Sequence, residues 1–384
     1  MTDETAQPHF SSARAPSSHE AQQIVMPFTS GLTGHTSLHE TATRAEVARR
    51  IARIKGCPVS EELPQSEWKM RPYLIPCETL VGMEWVASLG LHGADDLFGG
   101  VVPHAFIASK AITHPLFSAT SERPEGWRFD FHQRVREAVL PGYTAFCRSD
   151  VIQAVLALLA LGPVRVKPVT ETGGHGQVVV KNVEELNACL SKLTDQALRR
   201  HGLVLEHNLS AVDTLSVGQV RVASIVASYY GRQHLTENNE GAVSYRGSDL
   251  TVVRGDFDAL LRVLAPGAER TAVEQALTYD KAVRVCFPAF FASRINYDVA
   301  QGTNAAGQWC SGVLEQSWRM GGATAAEIAA LEAFHENPSL TLVHSKCVEI
   351  FGPLVPLPYG AVTYFRGDDP DVGLLTKYAL VESR

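Results

Sequence analysis

The chain has 384 residues, 45% of them hydrophobic, and its 34 basic and 41 acidic side chains leave a formal net charge of −7. A chain of this length can bury more than one core, with a prior of roughly two to three domains. The absence of a basic block argues against nucleic acid as the main partner.

The first 22 residues are polar, rich in Ser, Ala, Glu and His, and lack an apolar core, so they read as a disordered leader and not as a secretory signal. Gln23–Phe28 opens the folded part as a strand. Ser37 and Glu40 form a capping box that predicts a helix from about 38 to 55, and strand-like runs follow at 73–75 and 101–107. This alternation predicts a parallel α/β domain over residues 23–118. Residues 118–127 read as a linker. The longest apolar stretch, 151–161, is too short to span a bilayer and is interrupted by Gln153, which predicts a buried helix and no membrane association.

Val164–Pro168 reads as a strand, with Val164 and Val166 turned to a packed face and Arg165 and Lys167 to the other. Lys167 is expected to be presented, not buried. A glycine-rich turn, Glu171-Thr172-Gly173-Gly174-His175-Gly176, leads to a second β-branched run at 177–180. Strand, flexible loop and strand place backbone N–H groups beside a fixed cation, which is equipment for holding phosphate. The pattern is neither a P-loop nor a dinucleotide-binding turn, and a plain hairpin with a solvated lysine is its other reading. Asn182 with Glu185 predicts a helix running to about 200. A strand is expected at 219–225, two helical stretches lie between 256 and 292, and a helix spans 324–336.

Between these helices, two alternating segments flank a turn at 303–307 and predict an antiparallel hairpin with Asp298 and Glu315 nearly opposite. Cross-strand neighbours sit roughly 5 Å apart at Cβ, so two carboxylates there repel unless a cation or proton lies between them. Mg²⁺ suits such a pair, completed by water and phosphate oxygens. Glu315, Ser317 and Arg319 project together, the serine able to ligate and the arginine to grip an anion. An exposed hairpin with merely solvated charges is the alternative. Seven scattered cysteines without C-x-x-C or zinc-ligand spacing read as reduced thiols of a cytoplasmic protein.

Over about residues 140 to 325 this order of parts resembles the ATP-grasp superfamily, the fold of biotin carboxylase and the carboxylate–amine ligases. The wider run, with 139–143 and 319–324, resembles a bacterial branch of it. The resemblance implies an α/β (α+β) ATP-grasp fold: the N-terminal parallel α/β domain (23–118), a lid subdomain (130–206), a larger C-terminal mixed-sheet subdomain with the metal hairpin (207–350), and a C-terminal tail (351–384). By the same resemblance Lys167 matches the lid lysine and Gly173, Gly174 and Gly176 the phosphate loop, where His175 can also donate. Residues 203–209 match the hinge that holds the adenine, with Glu206 at its acidic position and His207 and Leu209 beside it. Asp298 matches the first metal carboxylate, and Glu315 to Arg319 match Glu-x-Asn-x-Arg, with Ser317 where the family usually has Asn. For the other phosphate-contacting lysine Lys110 is the best candidate, with Arg134 and Arg136 as alternatives.

The implied cofactors are ATP and one or two Mg²⁺ ions, and the implied partners are ATP and a small-molecule carboxylate, with a homodimer as a frequent assembly in the superfamily. The implied activity is that of a ligase that activates the acid as an acylphosphate for attack by an amine or other nucleophile, with Arg319 and Lys167 catalytic. The alternatives are a kinase-like phosphotransferase and a non-catalytic ATP-binding regulatory protein.

Overall fold

A computed structural model of the chain describes residues 23–30, 37–60, 70–170 and 176–382. The expected leader, and Gly173, Gly174 and His175 of the glycine loop, lie outside the described residues.

The body of the molecule is an eight-stranded antiparallel sheet. Its order is Trp309–Ser317, Arg294–Thr303, Ser210–Val222, Ile225–Glu237, Val243–Arg254, Leu342–Phe351, Gly373–Val381 and Val362–Asp369. Strict alternation along Ser210–Val222 assigns its two faces: Leu215 and Val217 enter one core, Val220 and Val222 another. The first core is closed by the helix Ala268–Cys286 through Val273, Ala276, Tyr279 and Val283. The second is closed by Leu38–Lys55 and Thr324–Glu336. The segment set apart above as a C-terminal tail therefore carries two strands of this same sheet, Val362–Asp369 and Gly373–Val381, with Tyr364 and Ala379 in the second core.

A four-stranded antiparallel sheet, in the order Gly142–Ala145, Leu203–His207, Val164–Pro168, Val178–Val180, stands apart from the body. Its helices Arg148–Leu159, Val183–Leu190 and Asp195–His201 cover one face, into which Val164, Val166 and Leu205 pack. The helix expected from Asn182 to about 200 is two helices, the second capped by Thr194, and Arg148 binds the carbonyls of Leu190 and Leu193 that face the break. The apolar stretch at 151–161 is amphipathic and not buried throughout: Ile152, Leu156 and Leu161 face outward.

Parallel pairing sits in the N-terminal part, where Gln23–Phe28 lies beside Arg71–Pro76 and Leu80–Val81 beside Gly100–Val102. The expected capping box on Leu38–Lys55 is present, with Glu40 N–H donating to Ser37 Oγ. Gly100–Val102 also pairs with Phe291–Ala292 of the body. Among the described residues no helix is long and apolar enough to cross a membrane.

Candidate active site

The acidic hairpin forms with Asp298 directly opposite Glu315, but regular alternation alone would not have put them there. From Thr303–Trp309 inward the register runs to Val299–Val313, then shifts at Leu314 so that Asp298 faces Glu315 and Asn296 faces Ser317. This β-bulge reverses the parity of the outer strand. Val313, Gln316 and Trp318 look toward the Ala268–Cys286 side, while Glu315 and Ser317 turn to the face of Asp298. Bulges re-aim side chains beside functional sites, and this one assembles the carboxylate pair.

Asp298 is partly buried and its Oδ1 accepts from Gln233 Nε2 at 2.8 Å, Asn296 Nδ2 at 3.0 Å and Ser216 Oγ at 3.4 Å. Burial and the neighbouring Glu315 charge nevertheless push its carboxyl up to about 6, against the help of the donors and of Arg294. Among the described residues no cluster of three or more His, Cys, Asp or Glu forms. Two opposed carboxylates with neutral oxygens nearby are the kind of donor set that Mg²⁺ completes with water and phosphate.

A buried frame holds this face in place. Arg294 makes a two-point ion pair with Glu327 of the helix Thr324–Glu336, at 2.9 and 2.7 Å, and donates to the carbonyls of Ser317 and Arg319. Tyr229 hydroxyl reaches Glu327 Oε1 at 2.5 Å and Asn296 Oδ1 at 3.0 Å. The frame therefore grips the backbone on either side of Trp318 and leaves the Arg319 head beside the carboxylates. Burial and the Arg294 guanidinium lower the Arg319 guanidinium from its ordinary value, with Glu315 and Asp298 pulling the other way.

The segment 110–114 ties the hairpin to the hinge. Lys110 Nζ lies 3.1 Å from Glu315 Oε2, and Gln316, next along the strand, donates to the carbonyls of Ile107 and Ser109 at 2.6 and 2.9 Å. Four residues on, His114 Nε2 lies 2.9 Å from Glu206 Oε2. Of the three candidates Lys110 is the one placed beside the hairpin; Arg134 and Arg136 are exposed, and Arg136 pairs with Glu137.

Lys167 contradicts the expectation of a presented lysine. Its side chain is buried and ion-paired with Glu206 Oε1, because the facing strand sets Glu206 opposite Arg165, one diagonal step away on the same face. Burial alone would raise the Glu206 carboxyl, but Lys167 and His114 outweigh it and hold it well below the usual carboxylate range. Arg165 donates to Asn208 Oδ1 at 2.8 Å, so the base of the lysine strand also fastens the hinge. His207 falls on the opposite, helix-covered face, next to Gly162, and is not brought to Lys167 and Glu206. Leu209 packs in a small cluster with Leu140 and Ala300, and Gly176 takes a positive φ of 67° where the described chain resumes after the glycine loop.

Gln233, Ser216, Asn296 and His114 are site residues that sequence reasoning missed. Only Asn296 carried a signal, being two residues from Asp298 and so on its face.

In comparison with solved structures, the fold is similar to the biotin carboxylase–β-γ-ATP complex from Campylobacter jejuni, with 11% identity and a TM-score of 0.50 over 94% of this chain and 87% of that one. It is similar also to N5-carboxyaminoimidazole synthetase from Staphylococcus aureus complexed with ADP, with 11% identity and a TM-score of 0.50 over 94% of each chain. The four-stranded sheet beside the eight-stranded antiparallel body is thus the arrangement of the ATP-grasp fold. A family model described as "Protein of unknown function (DUF3182)" matches residues 28–379, and the chain belongs to that family. No curated protein matches it.

Proposed function

We propose that this chain is an ATP- and Mg²⁺-dependent ligase. The observation that carries the reading is Lys110 Nζ at 3.1 Å from Glu315, which itself stands opposite Asp298. A fixed cation and a carboxylate pair in contact are the two charges that a nucleotide triphosphate and its metal would exchange for. In this reading the lid spans 130–206 and the body runs from 207 through the last strand, Gly373–Val381, with ATP between them.

Asp298, Glu315 and Ser317 would hold Mg²⁺, whose contribution is to neutralise phosphate charge. Lys110 would leave Glu315 for a phosphate oxygen as the metal's ligands form. Lys167, with Gly176 and the loop residues Gly173, Gly174 and His175, would steady the phosphates from the lid, and Glu206 with Leu209 would frame the base. Arg319 would orient the γ-phosphate or the acid. The substrate carboxylate oxygen attacks the γ-phosphorus as the bond to the bridging oxygen of ADP breaks. The acylphosphate is then attacked at carbon by an amine or other nucleophile, and phosphate leaves. Positioning and charge neutralisation supply most of the acceleration. The proposed setting is the cytoplasm, where the seven free cysteines stay reduced, with ATP and a small carboxylate as partners and a homodimer as the assembly.

The test is ADP release by the full chain with Mg²⁺ATP across a panel of small carboxylic acids, with and without amines. A ligase releases ADP only with an acid and turns over only with the nucleophile. Turnover with the acid alone, leaving a stable phosphorylated product, would instead support a phosphotransferase. Lys167 locked by Glu206 favours one further reading, a nucleotide-binding regulator, which would bind ATP without releasing ADP.

A further inference from the structure

Position 317 is the weak point of the cation site, since a serine hydroxyl is shorter than an amide and carries no NH₂ donor. Among the described residues Ser317 Oγ makes no hydrogen bond, and it lies near the Arg319 and Arg294 heads that surround Gly321. An amide is nonetheless present at the same level of the hairpin. Asn296 is the residue directly opposite Ser317, on the strand that carries Asp298.

Its placement is constrained from both ends. Asn296 is only 6% exposed. The Oδ1 atom lies 3.0 Å from the Tyr229 hydroxyl, whose one proton is shared between it and Glu327, which Arg294 holds with two bonds. An ionised carboxylate only accepts, so Nδ2 is the atom aimed at Asp298 Oδ1, at 3.0 Å. Gln233 and Ser216 converge on the same Oδ1, and among the described residues none donates to Oδ2. One oxygen is pinned by three donors and the other has none among the described residues.

We propose that Asn296 is the positioning residue of the divalent-cation site, supplying from the facing strand the amide that position 317 lacks and thereby presenting Asp298 Oδ2 to the ion. The inference rests on the ATP and Mg²⁺ reading above. Partners of this kind, which orient a ligating side chain without touching the metal, typically contribute about 10- to 100-fold in metal affinity.

The experiment uses the full chain with a non-hydrolysable ATP analogue, titrated with MgCl₂, and reads the Mg²⁺ concentration at which nucleotide affinity is half enhanced. Asn296→Ala should raise that concentration about 10- to 100-fold while the analogue's affinity without metal stays close to wild type. Adding Ser317→Asn to Asn296→Ala should restore it. The inference is overturned if Asn296→Ala leaves the Mg²⁺ requirement unchanged, or lowers affinity equally with and without metal and is not rescued. A wild-type chain that binds the analogue with no Mg²⁺ enhancement would instead remove the underlying ATP and Mg²⁺ reading, and this inference with it.

Discussion

Asp298 and Glu315 face each other because Leu314 is an extra residue in the outer strand of the hairpin. Without that bulge Glu315 would lie on the opposite face of the sheet, and the two carboxylates could not share an ion. The pair is poised by this local irregularity, with Lys110 supplying the counter-charge from outside the hairpin.

Removing one charge of the pair should unload the other. Glu315→Gln keeps the shape of the side chain but takes away the charge that helps push the Asp298 carboxyl up. The expected outcome is loss of Mg²⁺-dependent nucleotide binding and of turnover, with a far-ultraviolet circular dichroism spectrum like that of wild type. Activity equal to wild type would sink the assignment of Glu315.

The metal-free protein should lose stability as pH rises through the range set by Asp298. Its native carboxyl lies at about 6 against 3.8 for the ordinary group, so between these values the native state binds more protons than the unfolded chain, and the stability contributed by that proton falls with rising pH. The effect is on the order of 2 kcal/mol after allowing for partial solvent access. Mg²⁺, which needs the ionised form, should stabilise strongly at pH 7.5 and weakly at pH 5. Melting temperatures at the two pH values, with and without MgCl₂, read this directly.

Glu206 has the opposite sign. Its native carboxyl is depressed, so its contribution is complete above its ordinary value of 4.5 and is lost as pH falls below that. Glu206→Gln leaves the Lys167 ammonium buried without its partner, and should cost roughly 3 kcal/mol at neutral pH. The variant should also show a shallower acid limb than wild type when urea midpoints are plotted from pH 3 to 6.

Gly142 has no room for a methyl group. A Cβ there would lie 2.7 Å from the Leu205 carbonyl oxygen and 2.8 Å from the His114 ring. Gly142→Ala should therefore destabilise by roughly 1–3 kcal/mol and weaken nucleotide binding, since His114 holds Glu206 in the hinge. A calorimetric melting curve with an affinity measurement checks both.

Local signals carried much of this architecture. Ser37 with Glu40 and Asn182 with Glu185 specify helix starts through side-chain to backbone bonds made within four residues, and the hairpin turn at 303–307 is equally local. The same range limits what was legible. Whether Lys167 is buried depends on Glu206, which is 39 positions away in sequence, and two donors on Asp298 come from Ser216 on the adjacent strand and Gln233 on the strand beyond it. The bulge at Leu314 escapes periodicity because a one-residue insertion looks like a continuing strand. The outward turn of Ile152 and Leu156 is a tertiary fact as well, since an apolar side chain does not disclose which face of its helix is covered.

The central claim is that the Lys110–Glu315–Asp298 cluster receives a metal-bound nucleotide. Calorimetric titration of the full chain with a non-hydrolysable ATP analogue, with and without MgCl₂, alongside Lys110→Ala and Glu315→Gln, tests it most directly. The account predicts binding by wild type that Mg²⁺ strengthens, with Lys110→Ala weakening it in both conditions and Glu315→Gln abolishing the Mg²⁺ effect. Binding that neither substitution alters, or no binding by wild type, would contradict it.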